Sequence, residues 1–203
     1  MRREGMAMLP TQPGMAWRVD ETAEADSAID ERALVAAAQA DPVAFGVLYR
    51  RHLPGIYRYL RARLASADEA ADLTQQVFLK ALEALPSYRE RGLPFAAWLF
   101  RIARNASIDA ARARRSTTPW QLVAEGQPAE ASGAPDAELA LAQFADLLTP
   151  LDESKRELLV LRFVVGLNSR EMAAIVGMRE AAVRKQLSRS LAILKERYRA
   201  EHV

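Results

Sequence analysis

The side chains best suited to chemistry in this 203-residue chain are hydrogen-bond donors and fixed charges rather than nucleophiles or metal ligands. Arg184, Lys185, Ser188, Arg189 and Lys195 share one side of a basic stretch at 179–199. Asn105 and Asp109 sit among Arg101, Arg104 and Arg112 in a second, at 101–115. Guanidinium groups bind guanine edges in bidentate fashion, basic groups neutralise phosphates, and an asparagine amide offers donor and acceptor together. A third basic stretch covers 50–63. Any one of them alone reads more readily as a solvated helix face. Three of them, each on a segment of helical period, point to a polyanionic partner.

Other chemistries lack their residues. There is no cysteine, so no disulfide, thiolate nucleophile or cysteine-ligated zinc can form, and His52 and His202 are far apart in sequence. No glycine-rich phosphate loop is present. The expectation is therefore no catalytic residue, no metal and no cofactor. No apolar run approaches the roughly 20 residues that cross a bilayer, and Glu4, Gly5, Pro10 and Pro13 interrupt the basic start, so a cytoplasmic protein without membrane insertion is expected. The net charge of +2 hides an uneven distribution, with Asp20, Glu21, Glu24, Asp26, Asp30 and Glu31 gathered ahead of the basic stretches.

The elements that must position these groups are helices. Residues 1–32 lack periodicity and read as a flexible acidic leader. From Ala33 the apolar residues recur at three- and four-residue spacing, and Asp41-Pro42 divides the pattern in two. A third helix follows Ser66 or Asp68 as cap and stops at Pro86; a fourth starts near Phe95, with Trp98 taken as core. The proline, glycine and small acidic residues of 116–138 mark a flexible linker. Beyond it, 139–148, 151–165, 169–176 and 179–199 read as four more helices. The expected fold is all-α, with two small helical domains at 33–115 and 139–203.

The second domain contains a helix-turn-helix pattern. Ala173 is small where two helices meet, Gly177 permits the turn, and Met172, Val176, Met178 and Val183 fill the core between them. At 100° per residue, Val183, Leu187, Leu191, Leu194 and Tyr198 fall within an arc of roughly 80° and should face the core. Arg184 and Lys185 then lie free near the helix start, where side chains reach base edges in a major groove; Arg189, Lys195 and Arg197 are placed for phosphates.

The stretch 68–82, DEAADLTQQVFLKAL, resembles the region 2.2 helix of bacterial RNA polymerase sigma factors. Residues 94–109, PFAAWLFRIARNASID, resemble the region that follows it, and 169–199 resembles region 4.2, led by Leu148-Thr149-Pro150-Leu151. The order of these motifs, with a linker too short for region 3, is similar to the extracytoplasmic-function group. The resemblance implies that Asp72, Gln75, Gln76, Lys80 and Glu83 dock on the clamp helices of the largest subunit of core RNA polymerase. It implies that 87–94, Arg101, Arg104, Asn105, Asp109 and Arg112 hold the opened single strand of a minus-10 element. It places Arg184, Lys185, Ser188 and Arg189 on the minus-35 duplex. An anti-sigma factor is implied as a further partner. The chain departs from the family's pattern at Gln76, often an acid, and at Lys185 and Gln186. Two rivals are a polymerase-independent helix-turn-helix regulator, which leaves the first domain unexplained, and a small nucleotide-dependent enzyme, for which the phosphate-binding residues are missing.

Overall fold

The computed structural model describes residues 21–64, 66–90, 92–116 and 135–201, and every element among them is helical. The first domain comprises α1 (Glu21–Ala40), α2 (Phe45–Arg61), α3 (Ala67–Ala84) and α4 (Phe95–Ser116). Asp41 caps a short 3-10 turn, Pro42–Ala44, by accepting from the Val43 amide at 2.9 Å. Ser66 caps α3 from outside, accepting from the Glu69 amide at 3.4 Å. Leu48, Ile56, Leu60, Val77, Leu85 and Leu99 are sealed between the four helices, each burial contributing about 1.5–3 kcal/mol. Phe78 completes this core edge-on to Phe45 and Tyr49.

The second domain comprises α5 (Pro135–Leu148), α6 (Glu153–Leu159), α7 (Ser169–Val176) and α8 (Glu180–Glu201). Asp152 caps α6, accepting from the Lys155 amide at 3.0 Å, and Asn168 closes a reciprocal capping box with Glu171 at the start of α7. The two domains are in contact: α4 packs along α7, and α2 meets the turn that follows α6.

Several sequence expectations shift. The first helix starts at Glu21 rather than at Ala33, so 21–32 belongs to a helix and not to the leader; alanine and glutamate propagate a helix by propensity, without an apolar stripe to announce it. Residues 1–20 lie outside the described part. So do 117–134, while Pro135 opens α5 ahead of the expected 139. The single helix read over 151–165 is α6 followed by a π-helical turn, Val160–Val164, where the Val165 amide reaches back to the Val160 carbonyl at 3.2 Å. The wider turn redirects the chain toward Gly166, whose φ of +88° suits glycine.

The core face of α8 is rotated slightly from its expected position. Ser190 is fully buried, its hydroxyl donating to the Gln186 carbonyl at 2.8 Å, whereas Leu191 is 43% exposed. Relative to Val183, Ser190 lies about 20° to one side and Leu194 about 20° to the other, leaving Leu191 at the rim about 80° away. Met178 is also exposed, at 37%, because it sits in the turn and contributes a backbone N–H to the Ala173 carbonyl.

Gly177 adopts φ 73°, ψ 31°, and its amide closes on the Ala173 carbonyl at 3.0 Å. Nothing crowds an added Cβ there, so only backbone strain opposes substitution. Gly177→Ala should therefore destabilise the fold by about 1–2 kcal/mol in chemical denaturation, with helical circular dichroism retained in the absence of denaturant.

Candidate nucleic-acid and polymerase interfaces

The recognition face of the second domain is formed by α7, the Gly177 turn and α8. Met172, Ala173, Ile175, Val183 and Leu187 are buried between the two helices and fix their crossing. Arg184, Lys185, Ser188, Arg189 and Lys195 are all exposed on α8, on the side that the angular argument indicated. Arg184 lies 3.5 Å from Glu180 one turn earlier, an exposed pair that orients the guanidinium weakly.

In the first domain, Asp72, Gln75, Gln76, Lys80 and Glu83 form an exposed polar band along α3. Leu79, 60% exposed, lies within it, so the band has an apolar centre that the polar reading of this face had left out. On α4, Arg101, Asn105, Asp109 and Arg112 are exposed, with Arg112 4.0 Å from Asp109.

The stretch expected as a loop at 87–94 begins with a 3-10 turn, Leu85–Ser87. Two bonds from the Gln39 amide of α1, to the Leu85 and Tyr88 carbonyls at 2.9 Å each, hold this turn in place. Together with α1 it borders a cleft of about 340 Å³, lined on one side by Glu31, Arg32 and Gln39 and on the other by Tyr88, Leu93 and Phe95. The Tyr88 ring packs against Phe95 at 5.4 Å and Trp98 at 4.8 Å. Trp98, expected as core, is half-buried and packs on the edge of the core. Burial raises the Tyr88 pKa, aided by Glu90 and Glu31, so the phenol is neutral at pH 7 and can donate. Asn105 and Asp109 are not among the cleft's lining residues. Glu31, assigned to the leader by sequence, accepts from the Phe95 amide at 3.2 Å and approaches His52 Nε2 at 2.9 Å.

Arg104 is the exception among the expected strand-binding residues. It is partly buried, and its Nε lies 3.8 Å from Glu157 of the second domain. Glu157, 4% exposed, accepts from the Tyr59 hydroxyl at 2.6 Å and lies 2.6 Å from Arg63. Arg63 also bonds Ser107 at 3.3 Å and pairs with Glu153. Burial pushes the Tyr59 pKa well up, so the phenol is neutral and donates. Burial alone would lower the Arg63 pKa, but the carboxylates of Glu157 and Glu153 oppose it and the pKa is raised. Sequence reasoning missed this cluster. Its one available signal was an acid, Glu157, directly before the apolar run Leu158-Leu159-Val160-Leu161.

Comparison with known proteins gives this geometry a family. The Sigma-70 region 2 family matches residues 48–117, and the Sigma-70 region 4 family matches residues 141–194. The ECF RNA polymerase sigma factor SigD of Mycobacterium tuberculosis is 37% identical over 154 residues, covering 70% of this chain and 71% of SigD. The chain belongs to the ECF RNA polymerase sigma factors. Among solved structures, CnrH in complex with the cytosolic domain of CnrY, a sigma factor of Cupriavidus metallidurans, aligns with a TM-score of 0.66 at 30% identity, covering 84% of this chain and 97% of that one. RpoE in complex with the anti-sigma factor NepR from Bartonella quintana aligns at 0.59 and 27% identity, covering 75% and 94%.

As a sigma factor, the chain binds core RNA polymerase and recognises promoter DNA in transcription initiation. The region 4 match takes in α7, the turn and α8 as far as residue 194, and α3 and α4 fall within the region 2 match. If Arg184 reads a base edge, Arg184→Ala should cost about 1–3 kcal/mol on the preferred upstream element and relax discrimination at one base position. Lys195→Ala should instead weaken all sequences alike and lower the salt slope by roughly one unit. Titration of both variants against a duplex library at several salt concentrations measures the two effects.

Proposed function

We propose that three surfaces divide the work of this sigma factor. The α3 band, Asp72, Gln75, Gln76, Lys80 and Glu83 around Leu79, docks on the clamp helices of the polymerase largest subunit. Arg101, Arg104, Asn105, Asp109 and Arg112 hold the opened minus-10 strand, and Arg184, Lys185, Ser188, Arg189 and Lys195 bind the minus-35 duplex. The carrying observation is that these residues, drawn from three helices, are exposed on solid helical supports, with only Arg104 turned inward.

Opening DNA exposes bases at about 1.4 kcal/mol per base step, so melted bases must be held by stacking or edge hydrogen bonds. The cleft beside Tyr88 and Phe95 supports such a role: it is small, at the lower end of ligand-site volumes, and combines aromatic rings with the polar groups of Glu31, Arg32 and Gln39. Positive charge along α4 would then hold the backbone while a base leaves the stack.

The domain reading that follows assigns the first domain, expected at 33–115 and extended back to Glu21 by α1, to polymerase and minus-10 binding, and the second, expected at 139–203 and opening at Pro135, to minus-35 binding. The division of labour needs no turnover by this chain, and we assign it none; the polymerase supplies the chemistry. No described helix is long and apolar enough to cross a membrane, and the proposed place of action is the cytoplasm, with the polymerase. An anti-sigma factor is the proposed regulatory partner, supported by the likeness to RpoE, solved with NepR. Without cysteine, thiol-based sensing would fall to that partner.

Two substitutions test these roles. Asp72→Arg should weaken binding to core polymerase by about 1 kcal/mol, roughly fivefold, and the wild-type affinity should itself fall with added salt. Unchanged affinity would remove Asp72 from the interface. Asn105→Ala should spare closed-complex formation and reduce the open complex, read as lower permanganate reactivity of melted thymines at matched occupancy. Equal reactivity would remove Asn105 from the strand contact.

A further inference from the structure

One charge on the recognition helix has no part in the function proposed above. From its first residue to Lys195, α8 carries the cations Arg184, Lys185, Arg189 and Lys195 and a single acid, Glu180. Glu180 opens the helix, directly after the Gly177 turn, Met178 and Arg179, and is exposed. Its Oε1 lies 3.5 Å from Arg184 Nη1, and Arg184 is exposed as well. At 100° per residue Glu180 stands one turn ahead of Arg184 and about 40° round the helix from it. It has an azimuth similar to that of Val183 and Leu187, but those two are buried and it is not, because the helix begins ahead of the core that covers them.

An acid at a helix start has an ordinary use, which is to offset the positive end of the helix dipole. Here it also stands where the first turn of a recognition helix meets base edges in the major groove, and there it repels phosphates. A carboxylate in that place is selective, because it accepts hydrogen bonds and donates none. Cytosine offers it the N4 amino donor. Guanine presents the acceptors O6 and N7, thymine presents O4 and a methyl group, and adenine sets its N7 acceptor beside the N6 donor. Arg184 has the opposite preference, for guanine O6 and N7. Four helical residues advance about 6 Å, less than two base steps of roughly 3.4 Å, so the two side chains can meet the cytosine and the guanine of one base pair or of successive pairs. Their 3.5 Å contact sets acceptor and donor side by side, as such a site requires.

We propose that Glu180 is a specificity-determining residue of the minus-35 contact: its carboxylate accepts from the N4 amino group of a cytosine beside the guanine read by Arg184, and its charge rejects the other bases at that position. This role rests on the recognition face proposed above. Selection by rejection sharpens specificity while lowering general affinity. Loss of Glu180 should therefore relax discrimination chiefly by tightening the binding of wrong sequences, an effect that a charge serving only the helix dipole does not produce.

The test is selection from a duplex library randomised across the upstream element, captured by the full-length chain bound to core RNA polymerase and read by sequencing. The unaltered chain should favour cytosine at one position by about fivefold or more. Glu180→Ala should bring that position to near parity, leave the others as they were, and raise the affinity for unrelated duplexes. Glu180→Gln should move the preference to adenine, whose N6 and N7 pair with a side-chain amide. Glu180→Asp keeps the charge at the helix start but withdraws the carboxylate by one methylene, so thermal stability should hold while the cytosine preference falls. A cytosine preference that survives Glu180→Ala, or an equal loss of affinity for every sequence, would overturn the proposal and leave Glu180 as a helix-start charge. Arg184→Ala separates the two levels of failure. If it relaxes guanine selection while Glu180→Ala changes no position, the recognition face stands and only the role of Glu180 falls; if neither variant shifts any position, the recognition face falls with it.

Discussion

A single carboxylate, Glu157 of the second domain, is surrounded by protein and meets its charge partners, Arg63 and Arg104, from the first domain. An unpaired charge in such a place is costly enough that its surroundings must supply a counter-charge and a donor. Arg63 and Tyr59 do so from the other domain at 2.6 Å each. Once that cluster forms, the orientation of the domains is largely determined: the π-helical turn after α6 packs against α2, and α7 lies along α4. The positions of both proposed DNA-binding faces follow from it.

Within each domain the functional groups are held by groups that do no recognition themselves. Gln39 ties down the turn before Tyr88 through two carbonyls, and Glu31 holds the Phe95 amide at the start of α4, so the walls of the cleft proposed to hold a base are fixed in the free chain. Gly177 similarly sets the angle at which α8 leaves α7, and the Asn168–Glu171 capping box fixes where α7 begins. Preorganisation of this kind lowers the ordering cost of binding. It suits a protein that must hold melted bases against the tendency of the duplex to reclose.

Most of the fold was legible because its signals are local. Asp41-Pro42, Ser66, Pro86 and Gly177 mark helix ends by rules that act within a few residues, and the free side of α8 followed from 100° periodicity alone. The misses have physical causes. The start of α1 carries no apolar stripe, and the π-helical turn depends on carbonyls reached one residue further on. Ser190 could be buried in place of Leu191 because its hydroxyl is satisfied within its own helix. The α3 band was visible as an exposed face, but Leu79 at its centre was not, since a leucine in a helix is ordinarily assigned inward. The Glu157 cluster joins residues 98 positions apart, Tyr59 and Glu157, and no periodicity within one helix encodes such a pairing.

The proposed function requires this chain to direct polymerase to particular starts through two separated DNA contacts. Run-off transcription with core RNA polymerase on genomic fragments, with and without the full-length chain, measures that directly. The predicted result is a set of start sites present only with the chain, preceded by shared elements near minus-35 and minus-10. Identical starts with and without it, or starts that share neither element, would contradict the account.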